Sequence, residues 1–212
     1  MECCNETEQE TEISLYAELH LQNSEKEEGQ EGGFSVITCL QQGIHKISHS
    51  FIVENPLLWD IDSPVLYELT VTALLGEVIV DKVKTVCGFR TIAIDAEKGF
   101  YLNHRQVKLF GTCNHQDFGG LGVAVPDNWW EYKIEKLKEM GSNAYRCAHG
   151  MPSDALILAC DRLGMLVMDE NRNFDTSEDG MRQLETLLRR HRNHPSVVMY
   201  SIIVTGAMHG GI

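Results

Sequence analysis

Between residues 106 and 200 short apolar runs alternate in strict order with segments of helical period, and no other feature of the sequence restricts the fold as much. VKLFGTCNHQDF, residues 107–118, reads as a strand with a polar end, and residues 127–140 as an amphipathic helix closed by Gly141. NAYRCAHG is a second strand. A second helix is expected over 153–163, capped by Ser153 or Asp154 and stopped by Gly164 before the strand MLVMDE. A third helix over 181–192 ends ahead of Pro195, and VVMYSI supplies a fourth strand. The order is βαβαβαβ, with connections too short for anything but parallel neighbours. The polar residues gather where each strand ends: Asn114, His115 and Asp117, then Arg146 and His149, then Asp169, Glu170 and Asn171. A (β/α) barrel builds its site from those ends, which makes these side chains the first functional candidates.

Charge narrows the partners. Of the formal net charge of -13, residues 1–31 carry -9 through ten Glu and one Lys, leaving -4 for the rest. No basic patch exists to neutralise phosphates, so neither nucleic acid nor an anionic membrane is an expected partner. No apolar run approaches the roughly 18 residues of a membrane span. The start MECCNETEQETE lacks the charged-then-apolar pattern of a leader, so the expected compartment is cytoplasmic. Seven cysteines, among them Cys113, Cys147 and Cys160, form no CxxC pair and are odd in number. They suggest neither a zinc site nor a full disulfide framework, and no metal or cofactor is expected.

Ahead of the β/α region the pattern is different. Residues 1–12 read as an acidic, solvated, mobile tail. From residue 13 to about 95, ISLYAELHLQ, FSVITCLQQ, KISHSFIVE, LYELTVTALLG and EVIVDKVKTVCGF alternate apolar with polar residues, with Gly76 as a hairpin turn. Five such strands predict an antiparallel β-sandwich of immunoglobulin type. NSEKEEGQEGG and NPLLWDIDSPVLY read as loops, the second because Pro56 and Pro64 forbid a central strand. GFYLNHRQ is a small hairpin turning on Asn103 and His104. The expected division is an acidic tail over 1–12, a sandwich over 13–95, the first half of a barrel over 96–204 and an irregular tail over 205–212.

The blocks NPLLWDIDSPVLYELTV, GFRTI, GFYLNHRQVKLFGTCNHQDF, LKEMGSNAYRCAHGMPSDALILACDRLGMLVMDE and RNHPSVVMYSI resemble glycoside hydrolase family 2, the beta-galactosidase and beta-glucuronidase family, over nearly all of residues 50–202. The resemblance implies an immunoglobulin-like sandwich joined to a (β/α)8 barrel that cleaves terminal β-linked sugars with retention. It also implies a preceding sugar-binding sandwich, which these residues do not contain. Retaining cleavage needs two carboxyl groups, one to protonate the leaving oxygen and one to attack the anomeric carbon. The family's acid/base Glu closes the fourth strand in a motif like Trp-Ser-Ile-Gly-Asn-Glu. Here Tyr200, Ser201 and Ile202 follow that motif, and Ile203, Val204 and Thr205 depart from it, so that Thr205 occupies the acid/base position. A threonine hydroxyl donates no proton near neutral pH. The nucleophile lies on a later strand in the family. The expectation is therefore a hydrolase by descent, truncated within the barrel and inactive by itself, with IVTGAMHGGI reading as sequence past a break in the gene. The alternative is a non-catalytic carbohydrate-binding or assembly module.

By the family's pattern His115 and His149 hydrogen-bond the hydroxyls of a β-galactoside or β-glucuronide, a task suited to imidazole, which donates and accepts without a fixed charge. Arg146, Asp169 and Glu170 hold the pocket floor, and Asp117 and Asn171 complete the substrate-binding candidates. A plainer reading has Asp169 and Glu170 simply pairing with Arg146 or Arg172. His191, Asn193 and His194 read as helix-to-strand packing, and Trp129 and Trp130 as staples against the barrel wall. Half a barrel leaves its first and fourth strands as open edges, so association into homo-oligomers through those edges is expected.

Overall fold

The computed structural model describes residues 1–22, 30–172 and 175–201. The chain forms two compact units, one of Met1–Leu57 with Leu66–Cys87, the other of Leu58–Val65 with Gly88 onward.

The first unit is the sandwich. Strands β1 (Glu2–Asn5), β2 (Thr11–Leu21), β3 (Gln30–Leu40), β4 (Gly43–Lys46), β5 (Tyr67–Leu75) and β6 (Val78–Cys87) form an antiparallel sheet in the order β3-β2-β5-β6 and a two-stranded sheet β1-β4. The period of two in β2 is what packs it: Leu15, Ala17 and Leu19 are buried while Tyr16 and Glu18 face outward. Gly76, in the left-handed region, turns β5 into β6 as expected. Three local expectations are corrected. The acidic start is ordered rather than mobile, because Glu2–Asn5 ladders onto Gly43–Lys46 and the Asn5 amide donates to the Leu40 carbonyl at 2.8 Å. β3 begins at Gln30, inside the stretch read as a loop: pairing of Gly32 with Leu19 outweighs the low strand propensity of two glycines, and the Phe51 ring fills the space over Gly32. Residues 47–54 carry an alternating pattern but form no strand.

The second unit holds the parallel sheet. A three-stranded antiparallel piece, β7 (Ile92–Asp95), β8 (Gly99–Leu102) and β9 (Arg105–Gln106), turns on Asn103 and His104, both at positive φ. Then β10 (Gly111–Asn114), α1 (Asn128–Glu139), β11 (Ala144–Cys147), α2 (Asp154–Leu163), β12 (Leu166–Glu170), α3 (Glu178–His191) and β13 (Val197–Ser201) follow in sequence, with the four strands parallel in the order β10-β11-β12-β13. This is the expected half of a (β/α)8 barrel. Tyr145, Cys147, Val167 and Val197 point to the helices and pack on Trp130, Ile134, Leu156, Ile157 and Cys160. Arg146, Met168 and Met199 border a concavity of about 290 Å³ on the sheet. Ser153 caps α2, and Gly164 closes it in the left-handed conformation. α3 starts three residues ahead of expectation because Ser177 caps it, accepting from the Gly180 amide.

Residues 58–65, read as a sandwich loop, belong to this second unit. Trp59 is fully buried, donates its indole N–H to the Asp161 carbonyl at 2.8 Å and accepts at its own carbonyl from the Asn103 amide at 3.0 Å. Ile61 accepts from the Lys138 ammonium at 2.9 Å. A loop so tied down satisfies its backbone groups inside the fold rather than with water.

Candidate functional site

The site grows from the ends of three neighbouring strands. In β11 the side chains alternate across the sheet, so Tyr145 and Cys147 enter the core and Arg146 takes the opposite face. One strand over, β12 ends in Asp169 and Glu170, both fully buried. A buried carboxylate is costly unless paired and hydrogen-bonded. Glu170 is both: its Oε2 accepts from Arg146 Nε at 2.9 Å and Nη2 at 2.6 Å, and its Oε1 lies 2.8 Å from His149 Nδ1. The carboxylate holds the Arg146 guanidinium above its ordinary pKa, chiefly through that hydrogen bond. With three charge-compatible donors on two oxygens, Glu170 is an orienting group.

Its effect falls on His149. With Nδ1–H committed to Glu170, the ring has Nε2 left to accept from, or when protonated donate to, a ligand hydroxyl. His115 approaches edge-on, with ring centroids 5.2 Å apart and planes at 90°. The His115 loop is fastened from below: Lys133 of α1 donates to the His115 carbonyl at 3.0 Å while its ammonium stands over Phe118, Trp130 and Tyr145. Burial lowers the Lys133 pKa, with Asp117 opposing. A second clasp is Gln116, whose amide donates to the Met151 carbonyl at 2.9 Å and accepts from the Ser153 N–H at 3.2 Å, fixing the loop that carries His149.

The structure thus groups His115, Arg146, His149 and Glu170. Asp169 turns away from them: its Oδ1 accepts from the Glu170 amide at 2.8 Å and its Oδ2 meets His191 Nδ1 at 2.6 Å, which makes it scaffold beneath the site. Asp117 is exposed beside Lys133, outside the Glu170 cluster. Asn171 donates its backbone N–H to Ser201 and borders a cavity next to His149. His194 pairs with Asp161 at 2.5 Å, and Asp161 also accepts from the Ser196 amide, so the helix-to-strand junction packs as read. Trp130 is buried, and Trp129 lies edge-on to Phe118 at its border. Thr205 lies outside the described residues. Sequence reasoning missed Lys133 and Gln116, since a lysine on an amphipathic helix and a glutamine in a loop carry no pattern of their own. Among the described residues no group of three His, Cys, Asp or Glu side chains is placed to hold a metal ion.

Comparison with known proteins decides the family. Residues 1–90 match Glycosyl hydrolases family 2, and residues 92–179 match its TIM barrel domain. The chain belongs to glycosyl hydrolase family 2. Among family-2 relatives, the beta-galactosidase BoGH2A of Bacteroides ovatus is 44% identical over 162 residues, 71% of this chain and 19% of that protein. A putative beta-glucuronidase of Formosa agariphila is 37% identical over 164 residues, 71% of this chain and 16% of its own length. In structure, a family-2 member from Bacteroides cellulosilyticus superposes with a TM-score of 0.82 at 36% identity, over 92% of this chain and 27% of that one. The beta-glucuronidase of Bacteroides uniformis gives 0.85 at 27% identity, over 94% of this chain and 25% of that one. The chain therefore spans a fifth or less of the curated family-2 relatives named here and about a quarter of the solved structures.

Proposed function

We propose that this chain forms the sugar-gripping side of a family-2 glycosidase acting on terminal β-galactosides or β-glucuronides, and that by itself it binds such sugars without cleaving them. The observation that carries the reading is the Glu170 carboxylate clamping Arg146 and His149 at the ends of adjacent parallel strands, with His115 edge-on to His149. Strand C-terminal ends are where barrels of this type do chemistry. Two imidazoles, one ring held by a carboxylate and the other on a loop held by a backbone clasp, offer sugar hydroxyls hydrogen-bonding partners in preset orientation.

Catalysis is a separate matter. Retaining hydrolysis calls for two free carboxyl groups roughly 5–5.5 Å apart. Asp169 is engaged by His191 and the Glu170 amide, Glu170 by Arg146 and His149, and a threonine stands at position 205. General acid assistance is worth about 10²- to 10⁴-fold in rate, so a pocket without a free acid retains binding and loses turnover. Gel filtration and calorimetry with methyl β-galactoside, before and after His149→Ala, test the grip. Nitrophenyl β-galactoside and nitrophenyl β-glucuronide test turnover, first with the chain alone and then with a separately made family-2 barrel half carrying two glutamates. Binding that depends on His149, with hydrolysis only in the mixture, is the expected result; hydrolysis by the chain alone would refute the proposal.

A further inference from the structure

A cavity of about 410 Å³ opens beside His149, between the loop following β11, the end of β12 and the first turns of α3. Its size falls in the ordinary range for a small-ligand pocket. Arg172 and Arg182 stand on its wall with Asn171, Gln183 and Thr186, and no carboxylate lines it among the described residues. In a chain of net charge -13, a wall with two guanidinium groups and no acid runs against the background. Acids close by in sequence are engaged elsewhere: Asp175 accepts from the Ser177 N–H and hydroxyl, Glu170 from Arg146 and His149, and Glu185 is paired with Arg189.

The arginines are placed for a ligand. The Arg172 stem lies along Gly150, where an added Cβ would sit 3.5 Å from the Arg172 Cβ, and Gly150 has a φ of +137° that other residues rarely adopt. Arg172 makes no ion pair among the described residues. Among the described residues Arg182 is paired only with Asp179, one helical turn away, and both side chains are about three-quarters exposed. Such a pair contributes little and is readily exchanged for another anion. The guanidinium fork matches carboxylate and sulfate oxygens, and Asn171, Gln183 and Thr186 add neutral partners.

Resting on the sugar-binding reading above, we infer that this cavity takes an anionic substituent, a carboxylate or a sulfate ester, on a saccharide whose neighbouring unit is held by His115 and His149. The substrate class is then an acidic oligosaccharide. The shared wall at His149 joins the two sites, so that one imidazole borders both the gripped sugar and the anion.

The test titrates the 212-residue chain with methyl β-galactoside, sodium glucuronate, galactose 6-sulfate and inorganic sulfate, followed by calorimetry and by NMR of the arginine Nε–H groups. Loss of a charge-assisted hydrogen-bond partner is expected to weaken glucuronate or galactose 6-sulfate about tenfold in Arg172→Gln and again in Arg182→Gln. Arg172→Lys is expected to recover part of the loss, and Gln183→Glu, which places an acid in the wall, to abolish binding of both anions while thermal melting shows the fold intact. A preference for glucuronate identifies a uronic acid and a preference for galactose 6-sulfate a sulfate ester. Methyl β-galactoside reads the His149 grip independently. If it fails to bind while the sugar anions bind in an arginine-dependent way, the sugar-binding reading falls and the anion site stands. Sugar anions that bind equally to the wild type and to the Arg172→Gln/Arg182→Gln double variant, that do not bind at all, or that bind no better than inorganic sulfate overturn the inference.

Discussion

His191 Nδ1 lies 2.6 Å from Asp169 Oδ2, and solvent reaches neither side chain. The pair underlies the site without touching it, because the other oxygen of Asp169 accepts the Glu170 amide and so sets the strand end from which the Glu170 side chain departs. Removing one member leaves the other buried and unpartnered, which costs far more than the pair contributes. Asp169→Ala is expected to lower unfolding stability by about 3–5 kcal/mol, measured by urea denaturation. A loss under about 1 kcal/mol would show that the pair is not needed.

Glu170→Gln keeps the volume and removes the charge. Arg146 is about one-third exposed, so part of its lost partner is replaced by water. A loss of roughly 2–3 kcal/mol is expected, at or below the low end for a buried pair. Binding of methyl β-galactoside is expected to fall more than stability does, since the amide has one acceptor oxygen for Arg146 and His149 together and must turn its NH2 toward one of them. Calorimetry and urea melts on one variant separate the two effects.

Residues 58–65 are a structural strap whose weight can be measured at Trp59. Trp59→Ala is expected to cost about 3–5 kcal/mol, the range for truncating a buried aromatic. Trp59→Phe keeps most of the volume and leaves the Asp161 carbonyl without its indole donor. Its cost is expected near 1–3 kcal/mol. Equal effects of the two variants would mean the hydrogen bond carries the contribution and packing does not.

Gly164 has a φ of +71°, and a Cβ there would sit 2.3 Å from the Ile61 carbonyl oxygen. Gly164→Ala therefore meets both the left-handed penalty and a backbone collision. An expected loss of about 2–4 kcal/mol, read from the thermal midpoint, follows from the two together.

The hydrogen bond from Arg190 holds the Asp154 carboxylate below the usual range. A depressed folded-state value means the folded chain binds the proton less readily than the unfolded one. The contribution is fully present above the unfolded value of about 3.9 and is lost as pH falls through the folded value. Because the pair is largely exposed its size is at most about 1 kcal/mol. Urea midpoints between neutral pH and pH 3 are expected to fall slightly less steeply in Asp154→Asn than in the wild type; an identical slope would dismiss the pair.

Much of this was legible in the chain itself. The strict alternation after residue 106 determined the four parallel strands and three helices, because helical and strand periods are local properties that burial on one face enforces. The clustering of polar residues at strand ends likewise named Arg146, His149 and Glu170, since a parallel sheet delivers all its C-terminal ends to one side. What the sequence by itself did not determine is which polar residue meets which. Asp169 and Glu170 are adjacent acids of the same type, yet successive side chains in a strand leave on opposite faces, so one becomes scaffold with His191 and the other the clamp of Arg146 and His149. The acidic start has the composition of a solvated, mobile chain, whereas pairing with residues some forty positions away orders it. Trp59 in its proline-flanked loop was equally silent, since its partner Asp161 stands about a hundred residues on. Only tertiary structure decides contacts between positions far apart in the chain, because their energy exists only once the intervening residues have folded.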